Sequence, residues 1–105
     1  MAKPVALLLE DDNAISTIAK TILESQGMIA LVAHNTTVAR DFMENAEGDV
    51  ILSDMFLPKE SGIDFVREVR SNPQTESIPV VMMTAAAEEN LVVEAKELRV
   101  QEFIV

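Results

Sequence analysis

The sequence predicts an α/β fold in which helices cover both faces of a doubly wound parallel sheet. Apolar runs of strand length alternate with segments whose apolar residues recur at helical spacing, which gives five strands with four helices between them. The first run, "VALLL", is apolar throughout, as expected of a strand covered on both faces. Because crossover connections are right-handed, the strand order 2-1-3-4-5 is the natural arrangement, and 105 residues suffice for one domain.

The predicted strands are the apolar runs themselves. Pro79 is acceptable near the start of its strand, where the missing N–H costs little. The predicted strands are Val5–Leu9, Met28–Ala33, Asp49–Asp54, Ile78–Thr84 and Phe103–Val105.

The predicted helices lie between these runs, and each presents one apolar face. Gly27 ends the first helix, and "SGID" (Ser61–Asp64) resembles a capping box before the third. The apolar positions are Ile15, Ile18, Ala19, Ile22 and Leu23, then Ala39, Phe42, Met43 and Ala46, then Phe65, Val66 and Val69, and finally Leu91, Ala95 and Leu98.

The composition narrows the range of partners. The formal net charge is −10, so the surface repels nucleic acid phosphates and anionic lipid. The chain has no cysteine for disulfides or thiolate metal sites, and no Trp or Tyr on which bases could stack. No apolar stretch approaches the roughly 20 residues of a membrane span, and "MAKPV" lacks the apolar core of a signal peptide. We therefore expect a cytoplasmic protein that binds metal cations or basic protein faces, with neither nucleic acid nor membrane as a partner.

Polar residues gather where the predicted strands end. Glu10, Asp11 and Asp12 follow the first strand, Asp54 ends the third, and Thr84 ends the fourth. Ligands of such sheets bind beyond the carboxyl ends of the strands, and this order places the first and third strands side by side. The acids of "LLLEDDN" could form a solvated loop that caps the next helix, but their convergence with Asp54 favours a cation site. Hard oxygen ligands suit Mg²⁺, and a carboxylate beside Mg²⁺ can attack a phosphoryl group.

Four motifs occur in a specific order: "LLLEDDN", "VILSDMFLPKESGIDFVREVR", "IPVVMMTAAA" and "EFIV". Together they span nearly the whole chain, which resembles a receiver domain of bacterial two-component response regulators. The resemblance implies a flavodoxin-like receiver fold with Mg²⁺ as cofactor. It also implies that Asp54 accepts a phosphoryl group from a histidine kinase or a histidine phosphotransfer protein, and that a downstream output protein or domain reads the result.

The resemblance also assigns further residues. Asp11 would contact Mg²⁺ directly and Glu10 through water, with Asp54 and the backbone carbonyl of Met55 completing the protein ligands. Asp12 would be an auxiliary charge or a helix cap. The residues that would switch with phosphorylation are the hydroxyl of Thr84, the small Ala85 and the aromatic Phe103.

The sequence departs from the family pattern at its end. Such domains carry Lys and Pro directly after the fifth strand, followed by a last helix, whereas this sequence stops at Val105. We expect residues 1–105 to be a receiver domain that is incomplete at its C-terminus, as a piece of a longer protein rather than a naturally truncated receiver. Without the last helix one sheet face would expose apolar surface, which predicts low stability, domain exchange or a homodimer.

Three alternatives remain besides a signalling switch that turns over no external substrate. A receiver-like module could bind partners without phosphorylation. An aspartyl phosphohydrolase would take its nucleophile from "EDDN", but this leaves Asp54 unexplained. A nucleotide- or flavin-binding module ranks last, because the acidic loop would repel phosphate. His34, after the second strand, is expected to be a loop residue away from the site.

Overall fold

The computed structural model describes residues 3–45, 48–54, 56–57, 60–83, 93 and 95–104. These residues form α-helices and parallel strands in alternation, with a two-stranded antiparallel hairpin after the third strand. In chain order the elements are β1 (Val5–Leu9), α1 (Asn13–Ser25), β2 (Ile29–Ala33), α2 (Thr36–Asn45), β3 (Val50–Asp54), β4 (Phe56–Leu57), β5 (Glu60–Ser61), α3 (Gly62–Ser71), β6 (Val80–Met83) and β7 (Glu102–Ile104).

The main sheet is parallel, and β1 lies between β2 and β3. β3 pairs in turn with β6, so the spatial order of these strands is β2-β1-β3-β6. The predicted α/β fold with a parallel sheet is therefore confirmed, together with the order 2-1-3-4 of its first four strands. The short segment β7 runs parallel to β6 and places Phe103 opposite Met82.

The core lies where α2 and α3 pack against the sheet. The residues of β1 from Ala6 to Leu9 are at most 1% exposed, as the continuous apolar run predicts for a strand covered on both faces. The cluster around this strand is built from aliphatic side chains and Phe65, whose burial is the main favourable contribution to folding. Its buried members are Leu7, Leu9, Ala33, Ala39, Ile51, Leu57, Ile63, Phe65, Val66, Val69, Val80, Met82 and Ala95.

The helix boundaries follow local chemistry. Asp12 caps α1, because its side chain accepts a hydrogen bond from the backbone N–H of Ile15 at 2.9 Å. Ser61 caps α3 in the same way, at 3.3 Å from the N–H of Asp64, as "SGID" predicts. Gly27 follows α1 with a φ of 84°, a left-handed conformation that glycine adopts without strain.

Several boundaries differ from the prediction. The hairpin of β4 and β5 was not predicted, because two-residue strands are too short to show a pattern. β6 begins at Val80 rather than Ile78, since the preceding proline has no N–H to donate to a ladder. Of the predicted fourth helix, residues 93 and 95–97 are helical, whereas Leu91 lies outside the described residues.

One face of α1 stays in contact with solvent. Ile15, Ile18 and Ile22 are 49%, 62% and 57% exposed, so the amphipathic pattern predicts the helix correctly. Their exposure agrees with the expectation that one face of the sheet exposes apolar surface. These isoleucines border an apolar groove of about 290 Å³ that reaches the sheet at Leu52 and Met83. Among the described residues, no helix combines the length and the apolarity needed to cross a membrane.

Candidate functional site

Three carboxylates meet at the carboxyl edge of the sheet. Glu10 and Asp11 follow β1, and Asp54 ends β3, whose register places Ser53 opposite Leu9. One carboxylate oxygen from each of these acids lies within 4.8 Å of the other two. The sequence-based prediction that Glu10, Asp11 and Asp54 converge is therefore in agreement with the geometry, and the parallel pairing of β1 and β3 is its cause.

Glu10 is held by its own backbone and by its neighbours. Its N–H donates to the carbonyl of Ala33 at 3.0 Å, and its carbonyl accepts from Nδ1 of His34 at 2.9 Å. Its Oε1 accepts from the N–H of Asp12 at 3.1 Å, and only 3% of the residue is exposed. The carboxyl group is thus fixed at the edge of the cluster, with little water to solvate a charge.

The electrostatics of the cluster are unfavourable without a cation. Burial is the largest cause of a raised pKa of Glu10, and the neighbouring Asp54 and Asp11 add to the rise, while the hydrogen bond from the Asp12 N–H opposes it. Together these effects raise the pKa of Glu10 to about 7. A proton on Glu10 relieves part of the repulsion at low pH. A divalent cation would relieve it at neutral pH, and an all-oxygen donor set of this kind fits Mg²⁺.

Asp12 does not belong to this cluster in the described structure. Its side chain accepts from Ile15 at the start of α1, so of its two predicted roles the structure supports the helix cap.

The prediction for His34 is wrong in part. His34 is an exposed loop residue, as expected, but its ring lies against the backbone of Glu10 rather than away from the site. The register explains this: Ala33 lies opposite Leu9, so the residues that follow the two strands are neighbours. The predicted strand order contained this information, because it already placed the second strand beside the first.

The described structure does not test the roles of the remaining predicted site residues. Met55, Thr84 and Ala85 lie outside the described residues, so the carbonyl ligand and the switch hydroxyl stay predictions. Phe103 belongs to β7 by its backbone, and its predicted role as the switch aromatic is not tested.

Comparison with known proteins identifies the family. Residues 6–105 match the family described as response regulator receiver domain, and the chain belongs to this family. It is 36% identical over 83 residues to the transcriptional regulatory protein CpxR of Escherichia coli strain K12, a match that covers 79% of this chain and 34% of CpxR. The chain thus matches about a third of the length of that relative.

Two solved structures extend the comparison. The Mn²⁺-bound form of the response regulator Rcp1 is 29% identical, with a TM-score of 0.87, and the match covers 97% of this chain and 80% of Rcp1. The phosphorylated cyanobacterial phytochrome response regulator RcpA is 25% identical, with a TM-score of 0.89, covering 99% of this chain and 81% of RcpA.

The chain is therefore a receiver domain of the two-component type, and its function is phosphorelay signalling. Domains of this family are signalling modules that interact with histidine kinases and output domains, and they bind a divalent metal at an acidic pocket. In this chain Glu10, Asp11 and Asp54 form an acidic cluster at the carboxyl edge of the sheet.

Proposed function

We propose that Asp54 is the phosphoryl acceptor of this receiver and that Mg²⁺ binds beside it. The observation that carries the proposal is the approach of three carboxylates within 4.8 Å at the edge of a parallel sheet where ligands of such folds bind. A histidine kinase or a histidine phosphotransfer protein supplies the phosphoryl group, and a downstream output protein or domain responds to it.

The metal is held by the oxygen atoms of the cluster. Asp11 and Asp54 would bind it directly and Glu10 through water, and the backbone carbonyl of Met55 would complete the protein ligands. When bound, Mg²⁺ would neutralise the carboxylates and the phosphoryl oxygens, so that like charges could approach. The Mn²⁺-bound form of Rcp1 supports a divalent ion in a domain of this fold.

Asp54 acts as a nucleophile. One of its carboxylate oxygens attacks phosphorus, the new P–O bond forms as the bond from phosphorus to the donor nitrogen or acyl oxygen breaks, and the leaving group keeps that electron pair. Glu10 is buried, and its backbone is held by Ala33 and His34, so its carboxyl group stays beside Asp54 at the edge of the cluster. The phosphorylated form of RcpA supports this chemistry in a protein of the same fold.

Phosphorylation of Asp54 changes the conformation of residues on the neighbouring strands. The phosphoryl group adds roughly −1.5 to −2 charges, which attracts the hydroxyl of Thr84 and lets Phe103 change orientation, with Ala85 leaving room. In this account β7 is the fifth strand of a 2-1-3-4-5 sheet, and residues 1–105 belong to the receiver domain of a cytoplasmic protein. The change is a population shift between two states of one fold, and it turns over no external substrate.

Intact-mass measurement with Mg²⁺ and a small acyl phosphate tests the proposal. We expect one phosphoryl adduct on the parent chain and none on Asp54→Asn. Asp12→Asn is the matched control, because it removes a neighbouring acid while asparagine still caps α1, and it should be labelled like the parent. Label that persists in Asp54→Asn would overturn the assignment.

A second candidate is a receiver that binds its partners without phosphorylation. Such a module would bind Mg²⁺ and give no adduct with either acyl phosphate or a phosphorylated histidine protein.

A further inference from the structure

The guanidinium of Arg70, near the end of α3, gathers backbone carbonyls from two different segments. Nε donates to the carbonyl of Leu98 at 2.8 Å, and Nη2 donates to that of Arg99 at 3.2 Å. Nη1 donates to the carbonyl of Ile78 at 2.6 Å and to that of Glu76 at 2.9 Å. One side chain therefore joins α3 to the segment before β6 and to the turn before β7.

These bonds distinguish Arg70 from the other arginines of α2 and α3. Arg40 pairs with Glu68 at 2.7 Å and Arg67 with Asp64 at 2.6 Å, whereas within the described part of the chain Arg70 forms no ion pair with a carboxylate. Burial lowers the pKa of Arg70, and the nearby charge of Arg99 adds to the effect. The carbonyl dipoles compensate a partly buried cation, and only the planar fork of arginine can reach several at once.

The turn that Arg70 holds decides where β7 begins. Arg99 has a φ of 59°, so the chain reverses there in the left-handed region. Two residues later the N–H of Gln101 donates to the carbonyl of Val80 at 2.7 Å, which starts the pairing that places Phe103 opposite Met82. A shift of the turn would move the whole strand, because β7 has only three residues and begins directly after the turn.

We propose that Arg70 is a positioning residue that fixes the entry of β7, so that Phe103 responds to phosphorylation of Asp54. This role rests on the proposed function of Asp54 and Phe103. Arg70 acts at the amino edge of β6 and β7, while Asp54 lies at the carboxyl edge of β3. We call the bonds from Arg70 to the four carbonyls the clamp. Weakening the clamp therefore leaves phosphoryl transfer intact and reduces the response of β7.

Amide hydrogen exchange tests the proposal with two variants. Arg70→Lys keeps the charge but cannot span the four carbonyls, and Arg67→Lys is the matched control on the same helix. We expect Arg70→Lys to speed exchange of residues 100–104 at least about tenfold relative to β1, because the clamp is a set of charge-assisted bonds of which lysine can replace only part. Equal acceleration in β1 and β7 would mean a general loss of stability and would overturn the proposal.

A second readout distinguishes a positioning role of Arg70 from a purely structural one. With Mg²⁺ and acyl phosphate, Arg70→Lys should take up phosphate like the parent, while its phosphorylation-induced change in exchange at residues 100–104 falls below about half of the parent's, since the strand is no longer fixed at its start. A response equal to the parent's would contradict the proposal. A parent chain that takes up no phosphoryl group would overturn the proposed function and this coupling with it, whereas failure of the clamp alone leaves labelling of Asp54 intact.

Arg99→Asn keeps the test independent of any folding defect in Arg70→Lys. Asparagine tolerates a positive φ, and the change leaves the Arg99 carbonyl in place for Arg70. It removes only a long bond from Nη2 of Arg99 to the carbonyl of Glu76, at 3.5 Å. Because Arg70 still holds its four carbonyls, exchange at residues 100–104 should stay well below that of Arg70→Lys. Exchange as fast as in Arg70→Lys would contradict the proposal.

Discussion

The two edges of the sheet handle charge in opposite ways. At the carboxyl edge Glu10, Asp11 and Asp54 bring like charges within 4.8 Å of one another. At the amino edge Arg70 is surrounded by carbonyl groups that satisfy it from within the chain. Only one edge therefore needs a partner: the charge at the amino edge is compensated within the chain, whereas the carboxyl edge needs a proton or a cation to compensate its charge.

Removal of a metal ligand at the carboxyl edge should have the largest effect. Asp11→Asn should lower the affinity for Mg²⁺ at least about tenfold, because one of the clustered carboxylates is lost. Isothermal titration with Mg²⁺ measures the effect, with Asp12→Asn as the control that should bind within a small factor of the parent. Equal affinities of parent and Asp11→Asn would show that the cluster is not the metal site.

The charge of Glu10 should also make the stability of the fold depend on pH. The pKa of Glu10 is about 7 in the folded state and near 4.5 in the unfolded chain, so between these values the folded state holds more protons. The free energy of unfolding of the metal-free chain should therefore fall as pH rises from about 4.5 to 7, by up to about 3 kcal/mol from this group. The contribution of protonated Glu10 to the free energy of unfolding would be fully present below pH 4.5 and lost above pH 7.

Denaturant unfolding at several pH values in a chelator measures this dependence. Glu10→Gln should flatten it, and saturating Mg²⁺ should reverse it, since the cation favours the ionised carboxylates. A parent chain whose stability rises steadily over this range would contradict the assignment of the raised pKa to Glu10.

The helix cap gives a smaller effect at the margin of the carboxyl edge. Asp12→Ala should destabilise the fold by about 1 kcal/mol, because the N–H of Ile15 loses its partner. Asp12→Asn should cost little. Thermal unfolding of the pair separates the cap from the charge: a similar loss in both variants would mean that the charge of Asp12, not its cap, stabilises the fold.

The smallest expected effect concerns an ion pair away from both edges. Arg40 holds Glu68 bidentately, which lowers the pKa of that carboxyl, but both side chains are about half exposed. Glu68→Gln should therefore cost less than about 1 kcal/mol, and the loss should shrink in high salt. The contribution of the pair is present at neutral pH and fades as pH falls through the lowered pKa, the reverse of Glu10. A salt-independent loss would argue for packing rather than charge.

Sequence reasoning predicted the carboxyl edge better than the amino edge for a physical reason. The convergence of Glu10 and Asp54 follows from strand order alone, because the ends of neighbouring parallel strands meet. The clamp of Arg70 was not predicted, because its partners are backbone carbonyls, which no residue pattern reveals. His34 was misplaced although the order was known, since the proximity of β2 to β1 was applied only to acidic residues. Thr84 lies outside the described residues.

Mapping the phosphoryl group tests the central claim most directly. The chain is incubated with a small acyl phosphate in the presence of Mg²⁺ or a chelator. The aspartyl phosphate formed on the protein is then reduced with borohydride, and the modified residue is located by peptide mass spectrometry. The account predicts modification at Asp54, dependent on Mg²⁺ and strongly reduced in Asp11→Asn. Modification at another acid, or equal labelling of Asp54 in the chelator, would contradict the claim that the uncompensated carboxyl edge is the site.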